Sequence, residues 1–116
     1  MEELGTGAGQ AKLTFQIGST QYRTFNFFEE DETTPVDAST WTFEFFIKKF
    51  KGDIDKIIDL TLGNGISFVT YSDTGVLITV TGAQASIEEG EYYWELRRTD
   101  LNIPLLSGVA IFQFNA

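Results

Sequence analysis

The sequence contains neither cysteine nor histidine. Those two absences exclude disulfides, thiolate nucleophiles, iron–sulfur clusters, the usual zinc ligands and histidine acid–base chemistry. Positive charge is scarce, with Lys+Arg 8 against Asp+Glu 17 and a formal net charge of −9. A surface of that sign repels phosphate backbones and anionic lipid, which recruit proteins through basic patches. Neither nucleic acid nor membrane is expected as a direct partner. No window reaches the ~20 apolar residues of a membrane helix. Met1-Glu2-Glu3-Leu4-Gly5-Thr6-Gly7 lacks the basic and apolar segments of a secretory leader. The expectation is a soluble chain made in the cytoplasm.

What is present points to strands. The 116 residues are 42% hydrophobic and 15% aromatic, led by 11 Phe, and these sit among Thr, Ile and Val, which suit a pleated, half-buried surface. The length supports one core and one domain. Residues 1–12 are glycine-rich and lack apolar periodicity, and are expected to form a flexible or partner-bound tail; residues 13–116 form the folded domain.

From Leu13 onward apolar residues recur with period 2, the mark of strands with one face in a core. Leu13, Phe15 and Ile17 open the series; Tyr22 to Phe28 follows, with Phe25 and Phe27 sharing a face. The clearest segment alternates Trp41, Phe43, Phe45 and Ile47 with Thr42, Glu44, Phe46 and Lys48, and should cross the centre of a sheet. Ile58–Leu62, Ile66–Tyr71 and Val76–Thr81 read as short strands in hairpin succession, with Gly63-Asn64-Gly65 forming a tight hairpin turn. Ala83 to Glu89 is the one plausible helical turn. Tyr92, Trp94 and Leu96 begin a further strand. The last strand puts Gly108, Ala110, Phe112 and Phe114 on one side and Val109, Ile111 and Gln113 on the other. Seven to eight short strands with turn signals between them predict an all-β fold, an antiparallel β-sandwich in preference to a small barrel.

Gly90-x-Tyr92-x-Trp94 has the arrangement of a tyrosine corner, in which a Tyr hydroxyl near the start of a strand returns to the preceding backbone. Trp94 stands where an immunoglobulin domain has its second cysteine, and Trp41 resembles the core tryptophan of strand C. The domain therefore resembles an immunoglobulin-like sandwich with aromatic packing in place of the disulfide. A wider series runs Pro35-Val36-Asp37, Thr40-Trp41-Thr42-Phe43, Leu60 to Ile66, Gly75 to Val80, Gly90 to Leu96 and Leu106-Ser107-Gly108-Val109-Ala110. It is similar to the N-terminal immunoglobulin-like domain of phage baseplate upper proteins and related small tail or fibre proteins. That resemblance implies a non-enzymatic virion component that holds other virion structural proteins, in symmetric copies. It departs from the family in showing no coiled coil or receptor-binding domain after the sandwich, so a capsid or neck decoration protein is the alternative. A carbohydrate-binding module or adhesin domain is the alternative from another class.

Candidate chemistry is thin. Glu29-Glu30-Asp31-Glu32 with Asp37 could offer oxygens to a hard cation, but the spacing is not that of a calcium loop and a solvated loop is expected, with no metal and no cofactor. Paired carboxylates for glycoside hydrolysis have no identifiable concave site. Ser107-Gly108 is no nucleophile elbow. Gly5-Thr6-Gly7-Ala8-Gly9 has no strand before it and no helix after it, as a dinucleotide fingerprint requires. No catalytic residue is expected. The acidic run at 29–32 should lie near Arg97 and Arg98, and Lys48, Lys49 and Lys51 near Glu88, Glu89 and Glu91, each set neutralising the other.

Trp41, Phe43, Phe45, Tyr92, Trp94, Phe112 and Phe114 are expected in the core. Phe46, Tyr93, Val109 and Ile111 have the opposite parity. On neighbouring strands they become an outward apolar patch, which marks a contact surface for a partner subunit.

Overall fold

The computed structural model describes residues 9–28, 33–69 and 74–114. Among them nine strands form: β1 (Gly9–Gln10), β2 (Leu13–Gln16), β3 (Gln21–Asn26), β4 (Phe43–Lys48), β5 (Ile58–Leu62), β6 (Gly65–Phe68), β7 (Gly75–Val80), β8 (Gly90–Arg98) and β9 (Ile103–Gln113). Hydrogen bonding orders them β1-β9-β8-β4-β5-β6-β7-β3, with β2 also on β9. One layer consists of β9, β8, β4 and β5, the other of β6, β7 and β3. The aromatic side chains meet between them: Phe25 lies 5.8 Å from Trp94 and Phe27 stacks at 5.6 Å on Phe43. Sheets of this order, with a tyrosine corner at the start of the penultimate strand, define an immunoglobulin-like all-β sandwich.

The strands follow the alternation of their sequence. Val76, Ile78 and Val80 of β7 and Tyr92, Trp94 and Leu96 of β8 are buried. A bulge refines the pattern on β9. Leu96 pairs with Leu106 but Arg97 pairs with Pro104, so Leu105 is the extra residue. The added residue reverses parity locally and turns Leu105 into the core, where it is 2% exposed.

Three expectations change. First, the sandwich is not wholly antiparallel, because β1 and β2 both run parallel to β9. The sheet thus includes Gly9 and Gln10, before the expected boundary at Leu13; residues 1–8 lie outside the described residues. Second, Gly63-Asn64-Gly65 does not make a hairpin. Thr61 and Asn64 exchange backbone hydrogen bonds across a turn, Gly63 then donates to Ile66, and β6 emerges in parallel register with β5. Gly65, at φ +92°, leaves space that a Cβ would take from Leu60 Cδ2 at 2.6 Å. The double turn carries the chain from one layer to the other. Third, Phe114 lies past the end of β9 and is 61% exposed. Residues 83–89 hold no more than the single turn expected: Ala85 donates to the Thr81 carbonyl and buries its methyl group.

The N-terminal strands are held by a row of three residues. Trp94 of β8 pairs with Gly108 of β9, and Ala11 lies on the far edge of β9, donating its N–H to the Ser107 carbonyl at 3.0 Å. Gly108 has no side chain, so the Trp94 indole N–H reaches across it to the Ala11 carbonyl at 3.0 Å. That bond satisfies the polar atom of a fully buried indole. A Cβ on Gly108 would overlap the Ala11 carbonyl oxygen, and its φ of +156° disfavours any side chain as well.

Gly108→Ala should therefore cost about 2–4 kcal/mol, the sum of backbone strain and an orphaned buried donor, or about 10–20 °C in Tm. Gly63→Ala, strained at φ +83° but facing open space, should cost only about 1 kcal/mol. Equal losses in thermal denaturation would show that the close approach of Ala11 contributes nothing.

Candidate functional site

The outward face of β5, β4, β8 and β9 is ordered by register into rows. One row runs Asp59, Phe46, Glu95, Ser107 and Gln10; the next runs Lys48, Tyr93 and Val109. Beyond it Glu91 pairs with Ile111, which pairs with Thr14 of β2. The four residues expected on this face, Phe46, Tyr93, Val109 and Ile111, are brought onto it together. Tyr93 pairs directly with Val109, and its ring lies 6.4 Å from Phe46.

They are not equally available. Phe46 is only 5% exposed, because the ammonium groups of Lys48 and Lys56 lie over its ring at 4.9 and 5.1 Å. Lysine stems cover apolar surface while their charged ends stay wet, and the ring face attracts the charge. Phe46 is thus a packing residue of an outer layer, and the expected free patch is smaller. Val109 remains 40% exposed, and Phe50 of the β4–β5 loop joins it at 66%. The parity of β4 gave no indication of Phe50, which lies beyond the strand. Its place is set by Asp53, whose Oδ2 accepts from the Phe50 N–H while the Asp53 N–H donates to the Phe50 carbonyl, both at 3.1 Å.

Between Phe50 and Val109 lies an open hollow of about 400 Å³. Tyr93, Ser107 and Gly108 line it with Gln10, whose amide donates to the Ser107 hydroxyl at 3.3 Å. Lys49, Lys51 and Glu91 complete the charged part of the lining. The seating of β1 on β9 puts Gln10 at the edge of the hollow.

Polar groups here are tied to one another. Glu95, 8% exposed, accepts from the Tyr93 hydroxyl at 2.7 Å and from Arg97 at 2.5 Å. Burial, then the Glu95 carboxylate, pushes the Tyr93 phenol up to about 12. Arg97 also donates to Asn102 Oδ1 at 2.6 Å. Farther along the face, Lys56 bonds Glu44 at 2.5 Å and approaches Asp59 at 3.9 Å. Desolvation and the adjacent Glu44 raise Asp59 to about 6, whereas hydrogen bonds from Asp59 and Lys56 hold Glu44 below its ordinary value despite its burial.

Lys49 and Lys51 come beside Glu91 as expected, lining one hollow with it, and the contacts described for Arg97 and Arg98 are local. Arg97 takes Glu95, and Arg98 takes Asp100 at 2.6 Å while lying 3.7 Å over the Trp41 ring. Lys49 lies 4.5 Å over Tyr92 and Lys51 5.9 Å over Tyr93; Lys49 meets Glu91 through the backbone carbonyl, at 3.3 Å. Partners two residues away on a strand, or on a ring already beside the stem, need less ordering than a loop-to-loop bridge. The acidic run at 29–32 lies outside the described residues. Asp37, the other oxygen donor considered, is exposed and accepts from the Ser39 N–H at 2.9 Å, which lowers its pKa.

The remaining expected residues divide cleanly. Phe43, Phe45, Tyr92, Trp94 and Phe112 are buried. The Tyr92 hydroxyl donates to the Glu88 carbonyl at 2.6 Å, closing the corner that Gly90 opens at φ +152°. Trp41, by contrast, precedes β4 and is partly buried between Phe27 and Phe43 on one side and Arg98 on the other. The core indole is Trp94, packed 5.7 Å from Phe45.

Of the hollow's lining residues only Glu91 carries a carboxylate, so the two acids of a glycosidase are not present there. The site offers instead an aromatic floor, exposed apolar flanks and charges of both signs, a chemistry of contact.

No family model matches the chain, and no curated protein does. Among solved structures, the extracellular domain of the voltage-gated sodium channel beta4 subunit, described as a parallel homodimer with a role in cell–cell adhesion, is similar over 97% of this chain and 96% of its own, at 13% identity and TM-score 0.35. The natural killer cell receptor Nkp44 is similar over 93% of this chain and 100% of its own, at 11% identity and TM-score 0.37. At those values neither likeness assigns a role to this chain.

Asp59 generates a pH dependence of defined sign. Its folded-state value, about 6, lies above the ordinary 3.8, so the folded state binds that proton more tightly. The stabilising contribution is full at low pH and is lost as pH rises through about 6. Glu44 acts in the opposite sense, but its contribution is lost only below its ordinary 4.5. Between about pH 5 and about pH 7 Asp59 governs, and Asp59→Asn should flatten the change in urea midpoint across that interval. A slope equal to that of the unmodified protein would show that Asp59 is not the titrating group.

Proposed function

We propose that the chain is a non-enzymatic, immunoglobulin-like structural protein of a phage particle, in the tail, baseplate or fibre apparatus. It acts by docking the outer face of β4, β8 and β9 against a neighbouring protein subunit. The observation that carries the docking role is the pair of exposed apolar side chains, Phe50 and Val109, flanking a hollow floored by Tyr93. The ordered strand-and-turn phrases from Pro35 to Ala110 support the station in a particle. Partners on this reading are other virion structural proteins, present in symmetric copies. A capsid or neck decoration protein would use the same face in the same way. A glycan-binding role is the rival that the hollow itself suggests, since Tyr93 stands beside the hydroxyl of Ser107 and the amide of Gln10.

Density-gradient fractions of a lysate from the protein's source, analysed by mass spectrometry, should place the chain with particles at a fixed ratio to other virion proteins. Val109→Glu should leave the fold intact, since the side chain is 40% exposed, and lower the bound fraction at least about tenfold, equivalent to about 1.4 kcal/mol. Recovery only among soluble host proteins, or retention on immobilised glycans through Tyr93, would contradict the proposal.

A further inference from the structure

We propose that the hollow between the β4–β5 loop and β9 receives Phe50 from a second copy of this chain, forming a two-fold symmetric dimer. This rests on the reading of the outer face as a docking surface and names its occupant. A two-fold contact uses one patch twice, so the patch must carry both halves of every interaction. This one does. A knob, the Phe50 ring, stands beside a hole of about 400 Å³. A cavity of about 150 Å³ suffices for a benzene ring, which leaves room for the benzyl group together with the lysine stems on the rim.

The charges are arranged in the same self-complementary way. Lys51 belongs to the β4–β5 loop and Glu91 to the start of β8, on different elements of the hollow, and both are exposed. Neither side chain is tied by an ion pair among the described residues: Lys51 hovers 5.9 Å over Tyr93, and the Lys49 ammonium meets only the backbone carbonyl of Glu91. Rotation about an axis through the hollow sets Lys51 of each copy against Glu91 of the other. Lys49, Lys51 and Lys56, against Asp53 and Asp55, make this loop locally positive in a chain of net charge −9. An unrelated acidic protein could answer the lysines alone; only a second copy also answers Phe50 with a hollow and Glu91 with a lysine. The contact is small, and its affinity should lie in the weak range, roughly micromolar or weaker.

Sedimentation equilibrium from micromolar concentrations up to roughly 1 mM should show reversible association to twice the 13.0 kDa of the chain. Lys51→Glu and Glu91→Lys should each be monomeric, because each sets like charges together twice. An equimolar mixture of the two should dimerise again, since both contacts then pair opposite charges. Phe50→Ser should be monomeric alone and in any mixture, and circular dichroism should show all three variants folded. A wild type that stays monomeric throughout, or single variants that associate as well as wild type, overturns the dimer. So does a mixture that remains monomeric while wild type pairs. Particle association of the chain is read separately in the gradient, so a monomeric protein that still travels with particles would reject the self-pairing and leave the docking role standing.

Discussion

The bond from the Trp94 indole to the Ala11 carbonyl is the point on which the rest of the molecule turns. Immunoglobulin domains commonly join their sheets by a disulfide, and a chain without cysteine must find another cross-tie. Here an indole occupies the second-cysteine position, packs on Phe25 and Phe45 within the core, and spends its one polar atom on the N-terminal segment. Leaving that donor buried without a partner would cost about 1–3 kcal/mol, so seating the segment and burying the indole stabilise each other. Gly108 makes the approach possible by leaving its core side empty.

Side chains complete what the backbone leaves open between β2 and β3. The Gln21 amide accepts from the Gln16 N–H at 2.9 Å and donates to the Gln16 carbonyl at 2.7 Å, reproducing a strand's own pattern. Arg23 donates to the Thr14 carbonyl and lies 4.7 Å over Phe15. The edge of β3 is thereby occupied, which blunts the unpaired rim that invites aggregation. On the opposite surface, Gln10 joins Gly108 as a wall of the hollow because β1 is held in place. The structural tie and the docking surface are thus two sides of the same three-residue row.

Much of this was legible in the residues. Parity alone brought Phe46, Tyr93, Val109 and Ile111 onto one face, and Gly90-x-Tyr92 marked the corner that the Tyr92–Glu88 bond closes. What escaped depended on contacts between distant segments or on single inserted residues. Period-2 reading extended the last strand to Phe114, because alternation does not show where pairing stops. It could not anticipate the bulge that turns Leu105 inward. Trp41 and Trp94 look alike as isolated aromatics, but only Trp94 lies beside a glycine with a carbonyl behind it. Phe46 reads as exposed by parity and is covered by two lysines, whose long stems make burial invisible to a binary pattern. The expected neighbourhood of Lys49, Lys51 and Glu91 is found, whereas the pairing of Arg97 with Glu95 and of Arg98 with Asp100, each two residues apart and of low entropic cost, was not foreseen.

The central claim is that the indole of Trp94 locks the N-terminal strands to the core. Native-state hydrogen exchange of the Trp94 Nε1–H, followed by NMR, tests it most directly. The account predicts that this proton exchanges only on global unfolding, at the same free energy as the slowest amides of β8 and β9. Exchange that is orders of magnitude faster, while those amides stay protected, would mean that the N-terminal segment comes and goes without consequence for the fold, and would contradict it.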